Sequence, residues 1–231
     1  MKNIISYSLW GDRPMYWAGA LENIKMVTEF FPGWICRFYI DKNAKTDLIN
    51  TIIGDNVETV LMDAQIHING MFWRFNAAFD DNVNIFLSRD CDSRFSKREL
   101  NAINEWLESD KDFHIMRDHP QHTVPILGGM WGCRNNIFKK YNFKEEIDVW
   151  SQRLNDGADQ DFLDRVVYPN IKHTALEHSE FNLKYGGDIR PFPTKRKNYE
   201  FVGDIFDANN IRHPEYWQQI YRLEKNKQEI E

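Results

Sequence analysis

Apolar residues along this chain repeat at two periods, and the switching between them marks out its elements. Ile4 to Leu9 is β-rich and stops at Trp10-Gly11-Asp12, which predicts a strand running into a loop. Trp17, Ala20, Leu21, Ile24, Val27, Phe30 and Phe31 then form one helical stripe, closed by Pro32-Gly33. Ile35 to Ile40 predicts a second strand ending at Asp41, Thr46 a cap for a short helix through Ile53, and Val57 to Met62 a third strand. This β-α-β-α-β order predicts a parallel sheet of doubly wound type.

The pattern continues with a short helix over Met71–Phe79 and a buried strand over Val83–Leu87. Ser96 reads as the cap of a helix reaching about Ser109, with Glu99 at the capping-box position. Phe113–Arg117 is a further strand, and Ile126–Gly132 a Gly-rich one. Beyond it the alternation fades into a helical stretch around Asp161–Val167, a loop-rich region over 169–207, and a polar helix from Pro214. The expectation is one α/β domain over residues 1–231, Rossmann-like, with a mostly parallel central sheet flanked by helices. Residues 1–115 have a nucleotide-binding architecture, 116–207 form a substrate-side half on the same sheet, and 208–231 a closing helix.

Composition narrows the function classes. A chain of 231 residues with 42% hydrophobic and 14% aromatic residues builds a substantial core. A net charge of −6 carries no nucleic-acid-binding signature. Cys36, Cys91 and Cys133 are odd in number and widely spread, which argues against a disulfide framework or zinc knuckle and predicts a reducing cytoplasm. No run approaches the ~18–20 apolar residues of a membrane span, and the start of the chain reads as a first strand.

Chemistry concentrates at strand ends, where open α/β sheets bind ligands. Trp10-Gly11-Asp12, Asp41 and Arg89-Asp90-Cys91-Asp92 all fall there. Asp90 and Asp92 are the informative pair. Two like charges one residue apart repel unless a cation or hydrogen bonds hold them. In a loop such a pair is commonly a solvated turn, but at the end of a buried strand hard oxygen ligands suit Mn²⁺ or Mg²⁺ shared with substrate phosphates. Trp10, Asp12, Tyr16 and Asp41 read as ordinary loop residues or, by their strand-end placement, as donor contacts to a base or ribose.

The order of motifs resembles metal-dependent glycosyltransferases of the GT-A fold, most of all the glycogenin and lipopolysaccharide galactosyltransferase family, with a looser likeness to small capsular or viral members. Arg74, in Met71-Phe72-Trp73-Arg74-Phe75, matches the arginine preceding the strand that leads into Asp-x-Asp, here Phe86-Leu87-Ser88-Arg89-Asp90-Cys91-Asp92. Asp118 matches a strand-end sugar-binding aspartate, and Gly128-Gly129 a glycine-containing strand beneath the donor sugar. Asp159-Gln160-Asp161 matches an Asp-Gln-Asp element, and His178 with Lys184 a metal-site histidine followed six residues later by a diphosphate-binding lysine. The chain departs from the pattern at Phe181, where the family has glycine, and at Tyr185-Gly186, where it has Pro-Trp.

The resemblance implies sugar transfer from a nucleotide-diphosphate sugar to a hydroxyl acceptor such as a glycan. Asp90, Asp92 and His178 would hold the metal, and Arg74, Arg89 and Lys184 would share the leaving charge. Asp159 or Asp161 would act as base if the reaction inverts, and no strong base is required if it retains. Asp159 is equally suited to cap the helix that follows it. His119 and His122 are loop residues that can face an acceptor. Trp10, Trp73 and Trp131 are indoles of a kind more often core than sugar platform, and of the three Trp131, after the double Gly, is the one expected to face a carbohydrate. Arg190, Lys195, Arg196 and Lys197 form a basic loop suited to a solvated surface, a lid or peripheral contact with an anionic membrane. Two other classes share these features. One is a metal-dependent nucleotidyltransferase, for which Leu9–Pro14 is poor in the usual Gly and Lys. The other is a non-catalytic nucleotide-sugar-binding module.

Overall fold

A computed structural model describes residues 1–63, 70–134, 137–153 and 155–228 of the protein. The N-terminal elements follow the expected alternation: β1 (Lys2–Leu9), α1 (Pro14–Phe30), β2 (Ile35–Asp41), α2 (Thr46–Ile49) and β3 (Val57–Met62). α2 is shorter than expected, and Thr46 makes no side-chain cap. Next come α3 (Gly70–Trp73), running into a 3₁₀ turn over Arg74–Phe79, then β4 (Val83–Arg89), α4 (Lys97–Glu108), β5 (Phe113–Arg117) and β6 (Met130–Arg134). The remainder is α5 (Phe143–Trp150), α6 (Ala158–Phe162), a π turn over Leu163–Val167, α7 (Tyr168–Ile171), β7 (Ala175–Ser179), β8 (Asp188–Arg190) and α8 (Pro214–Gln228). The last three residues of the expected closing helix lie outside the described residues.

Among the described residues, eight strands form one sheet in the order β3-β2-β1-β4-β6-β5-β7-β8. Every pairing is parallel except those of β6, which runs antiparallel to both β4 and β5. Successive residues of a strand point to opposite faces, and both faces are covered. Ile4, Phe86, Ile115 and Trp131 pack under α5, α6 and α7, whereas Ile5, Tyr7, Leu87 and Met116 pack under α1 and α4.

Three expectations change here. The Gly-rich strand begins only at Met130, so Ile126–Gly129 is a turn before it. Ser96 does cap α4, accepting from Glu99 N at 3.2 Å, but the Glu99 side chain does not return to the cap. It is fully buried against Arg89 at 2.9 Å, and burial pushes its carboxyl up to about 7. Trp131 is fully buried among Phe75, Phe86 and Phe138, so its ring belongs to the core and faces no carbohydrate.

Candidate active site

The antiparallel β6 builds the site. Arg89 at the end of β4 pairs with Met130 at the start of β6, so the turn entering β6 lies against the acidic turn leaving β4. A Cβ on Gly129 would stand 2.0 Å from Asp90 Oδ2, and one on Gly128 would stand 2.4 Å from an Arg74 nitrogen and 3.0 Å from Asp159 Oδ2. Only glycine lets these charged groups rest on that backbone. Ser88 Oγ donates to Gly128 O at 2.6 Å, and Gln160 clasps the same turn, accepting from Gly128 N at 3.2 Å and donating to Ile126 O.

Arg74 is the centre of the arrangement. Its guanidinium is buried and reaches Asp90 with one arm and Asp159 with the other, the latter at 2.9 Å. Its backbone is pinned to β1: Ser6 Oγ donates to Arg74 O at 2.6 Å, and Arg74 N donates to Ser8 Oγ at 2.9 Å. Asp159 is not the cap of α6. That position is Gly157, with φ 78°, and Asp159 sits in the first turn, buried, facing Arg74.

The acidic turn is held from behind by α1 and Arg94. Asn23 Nδ2 donates to the carbonyls of Cys91 and Ser93 at 3.1 and 3.0 Å, and Arg94 donates to the same two carbonyls at 3.1 and 3.0 Å. Gly19 makes the close approach possible, since a Cβ there would stand 2.0 Å from Cys91 O. From the other side Phe206 N donates to Asp92 O at 2.9 Å, and Ser93 bridges to Ile205. Burial first, then the neighbouring Asp90 charge, pushes the Asp92 carboxyl up to about 6. Burial and the same acidic pair, Asp92 foremost, also raise the Tyr16 hydroxyl.

Two cavities meet at this cluster. The larger, about 780 Å³, opens at the ends of β1 and β4, bounded by Trp10, Asp12, Arg13, Tyr16, Met71 and Asp156 as well as Arg74, Asp90, Asp92 and Asp159. The smaller, about 360 Å³, shares those last four residues and continues past His122, Met130, Gly128, Gly129, Gln160, Gly203 and Ile205. Burial above all drives the His122 imidazole down to about 3, so it stands neutral there.

Trp10, Asp12, Tyr16, Arg74, Asp90, Asp92, Gly128, Gly129, Asp159 and Gln160 are therefore brought together. Six other residues named from the sequence are not. His178 lies on β7, three strands from β4 and so about 14 Å across the sheet. It is fully buried, one ring nitrogen against His114 at 2.8 Å and the other against Glu105 at 3.3 Å. It is not a ligand of a metal at Asp90 and Asp92. Asp118 is fully buried and its carboxylate is filled by Arg98, Arg196 and Val202 N, leaving no oxygen for a sugar. Arg89 borders neither cavity and is spent beneath the site, on Glu99, Ser93 and the Gly129 carbonyl, under Phe95. Asp161 points outward, 3.5 Å from Arg165. Asp41 folds into its own turn by accepting from Asn43 N, and Lys184 lies exposed over the Tyr185 ring. Neither borders either cavity.

The acceptor-side histidines divide. His119 is buried, its Nε2 3.1 Å from Tyr216 O, while His122 borders the smaller cavity. The basic loop is also partly committed, Arg190 to Asp188 and Glu105, and Arg196 to Asp118. Sequence reasoning missed Ser6, Ser8, Asn23, Arg94 and Asp156. None belongs to a spacing motif, and apart from the buried polar positions inside the β1 and α1 patterns nothing marked them.

The residues present fit a divalent cation of the Mg²⁺ or Mn²⁺ kind. Asp90 keeps about half its side-chain surface open at 48%, and burial and the Asp90 charge outweigh what Arg74 and Arg94 offer to the ionised Asp92 carboxyl. Among the described residues no third histidine, cysteine or carboxylate joins them in a metal-binding group. Two carboxylates suit a hard cation that takes its remaining ligands from water and substrate phosphates.

The fold is of the GT-A type, an α/β sheet with a crevice at the ends of its parallel strands. A glycosyltransferase involved in the glycosylation of the major capsid of PBCV-1 superposes with a TM-score of 0.50 at 14% identity, over 78% of this chain and 83% of that one. The galactosyltransferase LgtC, in complex with donor and acceptor sugar analogs, gives 0.47 at 12% identity, over 76% and 73%. A 4-diphosphocytidyl-2C-methyl-D-erythritol synthase from Anaerococcus prevotii gives 0.44 at 16%, over 80% and 93%. No protein-family model and no curated sequence matches the chain.

Proposed function

We propose that this protein is a glycosyltransferase that moves a sugar from a nucleotide-diphosphate sugar to a hydroxyl acceptor, with Mn²⁺ or Mg²⁺ as cofactor. The observation that carries this reading is the shared wall of the two cavities. Arg74, Asp90, Asp92 and Asp159 border both, so a donor in the larger and an acceptor in the smaller would meet at one charged cluster. Two substrates that must react need such a common boundary.

Asp90 and Asp92 are the residues that would hold the metal, and the metal supplies Lewis-acid stabilisation of the leaving diphosphate. Trp10, Asp12 and Tyr16 line the cavity where the nucleotide would lie. Arg74 brings fixed positive charge beside the acidic turn, where a leaving diphosphate would gain negative charge. Asp159, held by Arg74 at the boundary, is the carboxylate that would take the acceptor proton or steady a developing oxocarbenium ion. The three unpaired, buried cysteines suit a reducing cytoplasm, and no described helix is long and apolar enough to cross a membrane.

The test is a thermal-shift screen of nucleotide diphosphates and nucleotide sugars with Mn²⁺ or EDTA, followed by a donor-hydrolysis assay. Stabilisation by a diphosphate that needs the metal, with slow metal-dependent hydrolysis of one donor, is the expected result. Equal shifts in EDTA would remove the metal from the reading, and metal-dependent binding without turnover would reduce the protein to a binding module.

A further inference from the structure

Resting on that reading, we infer that the sugar carried by the donor, and the acceptor portion that meets it, bear no negative charge: the protein takes a neutral or amino sugar and refuses a uronic acid. Among the described residues, the two cavities are bordered by five carboxylates, Asp12, Asp90, Asp92, Asp156 and Asp159, against two guanidiniums, Arg13 and Arg74. Three negative charges are in excess on this lining before any substrate enters, with Lys45 Nζ 4.0 Å from Asp12 on the exposed rim. A divalent cation offsets the charge of the diphosphate it binds and leaves this surplus in place.

Neither guanidinium is placed to receive a sugar carboxylate. Arg74 is buried with both arms engaged, on Asp90 and on Asp159. Its Nε is buried without a partner, closed in by the protein. Arg13 is exposed just before α1, with its charge directed at the Tyr16 hydroxyl, on the side where the nucleotide would lie. The smaller cavity adds no cation. Besides the engaged Arg74, its basic side chain among the described residues is His122, with Nδ1 accepting from Asp118 N at 3.0 Å, and the wall beside it is Leu127, Met130, Gly203 and Ile205. Apolar side chains and a neutral imidazole suit the C–H face and hydroxyls of an uncharged ring. A carboxylate brought into either space would lose water and meet like charge without a partner.

The test uses matched donors that differ only at C6, a hydroxymethyl against a carboxylate. The pairs are UDP-glucose with UDP-glucuronic acid, GDP-mannose with GDP-mannuronic acid, and dTDP-glucose with dTDP-glucuronic acid. The nucleotide diphosphates alone, with Mn²⁺, first select the base, and calorimetry then compares the matched pair. The neutral donor should bind at least tenfold more tightly, about 1.4 kcal/mol. The gap should narrow as salt is raised from about 0.05 to about 0.5 M, because salt screens exposed charge. In the double variant Asp12→Asn/Asp156→Asn it should fall to about threefold or less. Both residues are exposed, so the variant folds. Diphosphate binding together with equal or tighter binding of the uronate would overturn this inference and leave the proposed function standing. Failure of every diphosphate to bind with Mn²⁺ would overturn both.

Discussion

Replacing Asp92 by Asn should make the metal-free protein more stable while removing its response to metal and diphosphate. Burial and the Asp90 charge raise the Asp92 carboxyl from 3.8 to about 6, so the folded state resists its ionisation. A carboxylate whose folded pKa is raised binds more protons folded than unfolded between those two values. Stability therefore falls as pH rises through that window, and the cost is complete above about 6. At neutral pH the shift corresponds to ~3 kcal/mol, and about a third of that at pH 4.5. The proton is shared with Asp90, whose half-open side chain can relax, so roughly 1–3 kcal/mol should be realised. For a chain of this size that is a rise in Tm of about 3–9 °C. The assay is thermal unfolding of both proteins in EDTA at pH 4.5 and 7.5, then at pH 7.5 with Mn²⁺ and the diphosphate that binds. Wild type should gain about 2.7 kcal/mol at a hundredfold excess over Kd, and Asp92→Asn should gain little. If the variant is no more stable than wild type in EDTA at pH 7.5, or keeps its full advantage at pH 4.5, the electrostatic account of the acidic turn is wrong.

Four further outcomes are expected. Asp159→Ala should lose more than about a hundredfold in kcat while remaining folded, whereas Asp161→Ala, on the outer face beside Arg165, should stay within about twofold; equal kcat losses would dismiss the assignment to Asp159. Gly129→Ala should abolish metal-dependent diphosphate binding and cost ~1–3 kcal/mol, because its Cβ would meet Asp90 Oδ2 at 2.0 Å; unchanged titration curves would contradict the packing. Asn23→Ala should weaken Mn²⁺–diphosphate binding by about tenfold, since the Cys91 and Ser93 carbonyls of the acidic turn lose two of their four side-chain bonds. His178→Asn should lower Tm, because His114 and Glu105 lose a partner, yet leave the Mn²⁺ concentration for half-maximal activity within about twofold; a large rise would restore His178 to the metal site.

Local rules went far in the first half of the chain. The runs Ile4–Leu9, Ile35–Ile40 and Val57–Met62, with the Trp17–Phe31 stripe, are long, periodic and bounded by Gly, Pro or Asp, so β1, α1, β2 and β3 appear almost where patterning puts them. Because parallel strands present their ends to one crevice, Asp90, Asp92, Trp10 and Asp12 could also be placed before any coordinates. The second half was harder to read. Its strands β7 and β8 are short, of five and three residues, and Glu177 and His178 within β7 look polar. Their burial depends on partners, Arg117 and Tyr168 for Glu177, and His114 for His178, which lie many residues away in sequence.

Charge pairing is where tertiary structure overruled spacing. Asp118, His178 and Arg89 stand at intervals that invite a role in binding, yet each is consumed by a buried partner on another element. A motif specifies which residues are near in sequence, but it carries no information on which ion finds which counter-ion. Only the folded chain shows that Arg74 divides itself between Asp90 and Asp159, across 16 and 85 residues. That meeting follows from the reversal of β6, which carries Gly128 and Gly129 back to the end of β4. Strand direction within a sheet is a property of the whole packing, so no window along the chain contains it.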